Sequence, residues 1–369
     1  MSYFRELLKN LDVLLLLLPF LLGVISVVMI GSTAYDGNFS FTGDMKVQIV
    51  AFGLGLGAVV VFLLIDYQIL ERIDKILYAA AILLLLAVYI PGLGSSQYGT
   101  LGWIDLGPVN LQPSEVVKAA FILVYASYLS RREEDLQSLR GLLLAGCYAL
   151  PFIGLVVLQG DLGNALVYCV VTIVMIYYAG VKTRLYAKVA LVGVLCIPLM
   201  YYLMDDYQKE RIDAFLHPED LSLEGNYQVW NSKVAIGSGG VTGKGLFEGT
   251  QKELDFLPVQ ESDFIFSVIV EELGLIGGLT VLLLYVLLLW RIAKIAGNAK
   301  DMPGALIAVG ALAMFFFQIF ENIGMTMGVM PVTGITLPFI SYGGSSVVTN
   351  MAVVGLVLTV GIRSKVINF

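Results

Sequence analysis

Apolar residues run through this chain in long stretches, interrupted by short polar ones. The stretches fall at about 13–34, 46–65, 76–93, 113–129, 141–159, 162–180, 189–204, 264–290, 305–325 and 346–362. At ~1.5 Å of rise per residue, runs of this length suit the ~30 Å hydrocarbon core of a bilayer. The pattern predicts an all-α polytopic membrane protein of about ten transmembrane helices, with residues 1–369 forming a single integral membrane domain. The run from Val13 to Ile30 is too long for a signal-peptide core and reads as an uncleaved first helix. One polar stretch stands out, the loop 204–263 between helices seven and eight. It has too few aliphatic clusters to fold alone, so it is expected to pack onto the bundle.

Composition agrees, with 58% hydrophobic residues, 14% charged and a mean hydropathy of +0.85. The placement of charge says more. Of 22 Lys and Arg, 15 lie in the alternating segments 1–12, 66–75, 130–140, 181–188, 291–304 and 363–369. Segments 35–45, 94–112, 160–161 and 326–345 carry none, and 204–263 carries five. By the positive-inside rule both termini are cytoplasmic and 204–263 is extracytoplasmic. The formal charge of −7 is matched by the −7 of that loop alone, so it implies no nucleic-acid partner.

Several chemistries drop out. Cys147, Cys169 and Cys196 all lie in apolar runs and give no disulfide framework or metal spacing. His217 is the only histidine, which removes a Ser-His-Asp triad and a histidine metal cluster. Gly53 to Ala58 fits GxGxxA, but inside a spanning helix with no strand before it. Helix packing through Gly53 and Gly57 is the expected use. Gly243-Lys244 departs from a phosphate loop, with Ser238 where Gly is required and Gly245 where Ser or Thr would hold magnesium. No organic cofactor is implied.

The candidate chemistry lies in polar groups at the ends of apolar runs. Glu115 and Lys118, three apart behind Pro113, share a helix face. They form either a structural ion pair or part of a substrate pocket, since ionisable groups within spans tend to face cavities. Asp161 is either a helix cap or a site residue on the outer side. Trp103 and Asp105 could join the same rim. Residues 331–346 are too apolar for a free loop and too broken for a helix. Irregular backbone at that depth is tolerated only where it is buried in protein or lines a cavity, which makes Ser341 and Ser345 pocket candidates, with Glu321 and Asn322 approaching from the ninth span. Asp263 stands where the long loop meets the eighth run. A carboxylate there can reach a substrate with its head in water and its tail in lipid. Glycines 237, 239, 240, 243 and 245 suit a backbone that comes close to something else, and are expected to let a bulky substrate approach. On a continuous helix, Glu271 and Glu272 would lie ~12–13 Å below Asp263, which makes them structural.

Taken together, WIDLG (103–107), QPSEVVK (112–118), YQKERI (207–212), NSKVAIGSGGVTGKG (231–245), GTQKELDFLP (249–258), SDFIFSVIVEELG (262–274) and NIGMTMGVMPVTGITLPFISYGGSS (322–346) resemble the SEDS family of shape, elongation, division and sporulation proteins. The likeness runs from about residue 10 to the C-terminus, and GTQKELDFLP and MPVTG look more like the elongation branch than the division branch. Two departures are Gly160 where the family usually has Pro, and Ser262 where it usually has Thr.

The resemblance implies a peptidoglycan glycosyltransferase that polymerises lipid II into glycan strands outside the bacterial cytoplasmic membrane. It implies work with a class B penicillin-binding protein and other elongation-complex membrane proteins. The family's essential aspartate falls on Asp263, which the resemblance implies as the general base. A divalent cation, Mg or Mn, is associated with the family, with no ligands assignable here. The alternatives are a lipid II flippase, a non-catalytic scaffold, or a division or sporulation paralogue with the same chemistry.

Overall fold

The computed structural model describes all residues except 1–9, 36, 38–39, 98–99, 106, 108–109, 205, 251–258 and 366–369. Helices lie over each of the ten apolar runs. They are α1 (Val13–Thr33), α2 (Gly43–Leu64), α4 (Asp74–Leu86), α5 (Pro113–Ser130), α6 (Leu139–Leu158), α7 (Leu162–Tyr178), α8 (Thr183–Leu203), α11 (Ile265–Gly297), α12 (Met302–Thr326) and α13 (Gly344–Lys365). Between them come a short α3 (Tyr67–Arg72) and, in the long polar segment, α9 (Asp206–Leu216) and α10 (Glu224–Ser238). Among the described residues six helices, α1, α2, α6, α11, α12 and α13, are both long and apolar enough to cross a membrane.

The helix ends follow local chemistry. The side chains of Asp12, Thr42, Ser138, Asp161 and Asp301 cap α1, α2, α6, α7 and α12 by accepting backbone N–H groups of the first turn. Pro113 opens α5, where its missing N–H has no role.

One element inside residues 94–112 is not helical. Strands β1 (Gly94–Gln97), β2 (Thr100–Asp105) and β3 (Asn110–Leu111) form a small antiparallel sheet in the order β1-β2-β3, with Trp103 paired to Ser95. Strands this short give no periodic signal against the apolar runs around them.

Helix α13 is the core of the bundle. It is buried along almost its whole length and packs against α2, α5 and α12. Its contact with α2 is close because Gly355 faces the Val59 backbone and Gly55 faces Met351. Gly53 and Gly57, expected to make the helix contact, are exposed and have nothing nearby. The packing glycine is Gly55, on the opposite face of the same helix.

The connections sort to two ends. At one end, Arg131 pairs with Asp74 over 3.0 Å, Arg363 with Asp66 over 2.6 Å and Arg291 with Asp12, while Tyr67 donates to Asp301 over 2.9 Å. At the other end β2, β3, α9, α10 and residues 328–346 gather around a common space.

Helix α11 breaks at Gly274, whose φ of 67° lies in the left-handed region. The break would leave the carbonyls of Glu271 and Glu272, and the N–H groups of Leu275 and Ile276, without helical partners. The glycine-rich segment supplies them. Lys244 and Gly245 donate to Glu271 O and Glu272 O at 3.0 Å each, and Leu275 and Ile276 donate to Gly240 O and Val241 O at 2.9 and 3.2 Å. A Cβ at Gly239 or Gly243 would collide with the carbonyl oxygens of Val270 or Glu272. The close approach read from these glycines is therefore to the α11 backbone, not to a substrate.

The fully buried Glu271 and Glu272 reinforce this splice. Glu271 accepts from Lys244 Nζ at 2.6 Å and Thr250 N at 3.0 Å, and Glu272 from Ser32 Oγ at 2.6 Å and Phe247 N at 3.1 Å.

Candidate active site

The space at the polar end is a cavity of about 550 Å³. Six separate parts of the chain build its wall among the described residues: Val47 of α2, the small sheet with Gln112, the α6–α7 turn, α9 with α10, residues 259–263, and residues 328–346. Trp103, Asp161, Asp263 and Ser345 all line it, though up to 242 residues separate them in the chain.

Asp263 closes the turn that leads into α11. Its N–H and that of Ser262 donate to Val259 O at 3.1 and 3.2 Å, which fixes the turn that carries the carboxylate. Ser262 Oγ donates to Asp263 Oδ1 at 2.9 Å, and Asn322 Nδ2 donates to the Asp263 carbonyl at 3.1 Å. Gly334, with φ of 75°, faces Oδ2, where a Cβ would stand 3.5 Å away. Burial pushes the Asp263 carboxyl up to about 6, against the lowering effects of the Ser262 hydroxyl and the Arg211 guanidinium and helped by the negative Glu261. A carboxylate with that affinity for protons suits a general base near neutral pH.

Asp161 serves as both a cap and part of the wall. Oδ1 accepts Asn164 N at 3.0 Å, while Oδ2 accepts Gln112 Nε2, Ser114 Oγ and Asn164 Nδ2 at 3.1, 2.9 and 2.8 Å. Ser345 Oγ accepts Gln112 N and donates to Asn110 O, both at 3.2 Å, tying α13 to the sheet.

Asp105, Ser341, Glu115 and Lys118 stand outside the lining, Asp105 exposed and accepting Gly107 N–H at 2.7 Å. Ser341 is buried and acts through backbone, donating to Ser262 O at 2.5 Å and accepting Leu337 N at 2.8 Å. Glu115 and Lys118 form a buried ion pair at 2.7 Å, one layer beneath the wall.

The sequence offers Lys118 and an unspecified extracytoplasmic Lys or Arg as cationic candidates; among the described residues the cations that line the cavity are Arg211 on α9 and Lys233 on α10. A signal was available. Arg211, Ala214, Phe215 and Pro218 all line the cavity at helical spacing, as do Gly225, Val229 and Lys233. Thr333 also lines it, and donates its hydroxyl to the buried Glu321. Among the described residues no three His, Cys, Asp or Glu side chains converge.

A bundle of helices of membrane-spanning length, with a cavity at one end and on its wall a carboxylate whose proton affinity is raised to about 6, defines a polytopic membrane protein. The chain belongs to the FtsW/RodA/SpoVE cell cycle protein family, whose model matches residues 9–366. Stage V sporulation protein E of Bacillus subtilis is 36% identical over 362 residues, covering 96% of this chain and 98% of its own. Peptidoglycan glycosyltransferase MrdB of Escherichia coli is 36% identical over 360 residues, covering 97% and 95%. The crystal structure of the rod shape determining protein RodA of Thermus thermophilus superposes with a TM-score of 0.70 at 30% identity, covering 97% and 98%. A structure on the coordination of polymerization and crosslinking by a peptidoglycan synthase complex gives 0.81 at 31%, covering 96% and 99%.

Proposed function

We propose that this protein is a peptidoglycan glycosyltransferase that polymerises lipid II, with Asp263 as general base. The observation that carries the reading is the Asp263 carboxylate on the cavity wall, with its affinity for protons raised to about 6. A sugar hydroxyl is a weak nucleophile until a positioned base accepts its proton. Asp263 takes the proton of the acceptor's 4-hydroxyl as that oxygen bonds to the donor's anomeric carbon. The bond to the lipid pyrophosphate breaks, and the anomeric centre inverts in one displacement, so no second carboxylate is needed as nucleophile. Arg211 and Lys233 supply positive charge for the departing pyrophosphate. A divalent cation, where the reaction uses one, would accompany the pyrophosphate of the substrate.

Ten crossings, with both termini cytoplasmic and the cavity outside, complete the picture. The sorting of alternate connections to opposite ends supports that count, and the distribution of Lys and Arg supports the orientation. The bacterial cytoplasmic membrane is the expected location. A class B penicillin-binding protein is the proposed partner, supported by the likeness to a complex that coordinates polymerization and crosslinking. The elongation role rests on GTQKELDFLP and MPVTG, because MrdB and stage V sporulation protein E are equally similar at 36%. Incubating the purified protein with lipid II and resolving glycan strands by electrophoresis tests the activity.

A further inference from the structure

Beneath the cavity, α5, α12 and α13 pack pairwise on one another. Each brings polar side chains to the same depth. α5 starts at Pro113 and α13 at Gly344, both at the cavity end, and α12 finishes there at Thr326. Glu115 and Lys118, Gln318 to Asn322, and Ser346 to Asn350 therefore all lie within roughly two turns of that end. The three helix tops are also stitched together. Ser345 joins the start of α13 to Gln112 before α5, while residues 333–336 join Glu321 and Asn322 of α12 to Ser346 of α13.

In this junction the hydrogen bonding is incomplete. Glu115 Oε2, Gln318 Oε1 and Nε2, Glu321 Oε2, Asn322 Oδ1, Thr349 Oγ1 and Asn350 Oδ1 are buried and have no protein partner among the described residues. Lys118 Nζ, with three N–H donors, uses one on Glu115. None of these residues is more than 4% exposed. Buried polar atoms in native proteins are rarely left unpaired, and a local cluster of them points to ordered water or a ligand. The set mixes donors (Lys118, Gln318 Nε2, Thr349) with acceptors (the two carboxylates and the amide oxygens). An ion would suit only one kind. The chemistry required is that of a small molecule that both donates and accepts.

We propose that the α5–α12–α13 junction is a hydrated site, holding a few ordered waters that bridge Lys118, Gln318, Glu321 and Asn350. Through them the Glu115–Lys118 pair is linked to Glu321 and Thr333, and so to the cavity wall. The inference rests on packing and satisfaction of polar groups, and is independent of the reaction assigned to the cavity.

The full-length protein in detergent micelles tests it by the sign of a stability change. Gln318→Leu removes two amide atoms at similar volume. If waters satisfy those atoms, Tm falls by several degrees, because the waters lose partners. If the junction is dry, removing two unpaired buried atoms leaves Tm unchanged or raises it, which overturns the proposal. Thr349→Val is the milder version with the same two outcomes. The double variant should fall by less than the two single shifts added together, since both residues touch shared waters, whereas strict additivity contradicts a common site. A cryo-EM map that resolves water settles the matter directly. Discrete density among Lys118, Gln318 and Asn350 is the expected result, and side chains closed on one another with none between them is the contrary one.

Discussion

Ser341 donates its hydroxyl to the backbone carbonyl of Ser262 over 2.5 Å, although 79 residues separate them. The same oxygen accepts Leu337 N–H at 2.8 Å, so one buried hydroxyl fixes residues 337–341 against the turn that carries Asp263. Tyr342 N–H, donating to Glu261 O at 2.9 Å, extends the tie. Ser341→Ala leaves a carbonyl and an amide unpaired, a cost of about 1–3 kcal/mol. The expected outcome is a lower Tm together with slower lipid II polymerisation, read by thermal shift and gel assay on one preparation. An unchanged Tm and rate would show that the turn is held elsewhere.

The rate should rise with pH as Asp263 loses its proton. A base with a value of about 6 is mostly protonated at pH 5 and mostly ionised at pH 7, so polymerisation climbs across that window. Arg211 lowers the value and Glu261 raises it. In Arg211→Ala the midpoint therefore moves to higher pH, and in Glu261→Gln to lower pH. Initial rates from pH 5 to 8 check both directions, and a midpoint indifferent to both changes would contradict the electrostatic account.

The Glu115–Lys118 pair is buried, so breaking it should hurt more than removing it. Lys118→Met leaves a buried carboxylate alone, at a cost of about 3–5 kcal/mol, while replacing both partners with apolar residues of similar volume leaves no buried charge unpaired and costs less. We expect Lys118→Met to lower Tm well below that of Glu115→Leu/Lys118→Met. Equal values would mean that the pair is not coupled.

Orientation can be read by cysteine labelling in a background without native cysteines. Gly245 is a poor reporter because its φ of 119° strains any side chain. Ser222 and Glu133 are both exposed, the first between α9 and α10, the second between α5 and α6. An impermeant thiol reagent added to intact cells should label Ser222→Cys and spare Glu133→Cys. The reverse pattern would place the cavity inside and remove the enzymatic reading.

The spans were legible because length and uninterrupted apolarity survive without knowledge of the neighbours. What hydropathy does not carry is which face turns inward, since lipid and core accept the same side chains. Gly53, Gly55 and Gly57 look alike in sequence, yet only Gly55 is packed against another helix. The glycines at 239 and 243 announced a close approach but not its partner, because the break at Gly274 that needs them lies 31 residues further on. Asp161, Asp263 and Ser345 were readable as polar residues at the ends of apolar runs. Arg211 and Lys233 carry no such mark, because their helices lie in a polar stretch that hydropathy reads only as a loop.

Asp263 carries the central claim, and Asp263→Asn tests it most directly, since the amide keeps the size of the carboxylate but accepts no proton. The variant should fold and insert with a near-normal Tm, because Asn322 and Val259 bind the Asp263 backbone and not its carboxylate. Loss of a general base typically lowers a rate by about 10²–10⁴. The measurement is the initial rate of glycan-strand formation from lipid II by purified wild type and variant, at equal protein and pH 7. The account predicts strands from the wild type and a near-complete loss in Asp263→Asn. Wild-type-level polymer from the variant would contradict it, as would no polymer from either protein, the outcome expected of a flippase.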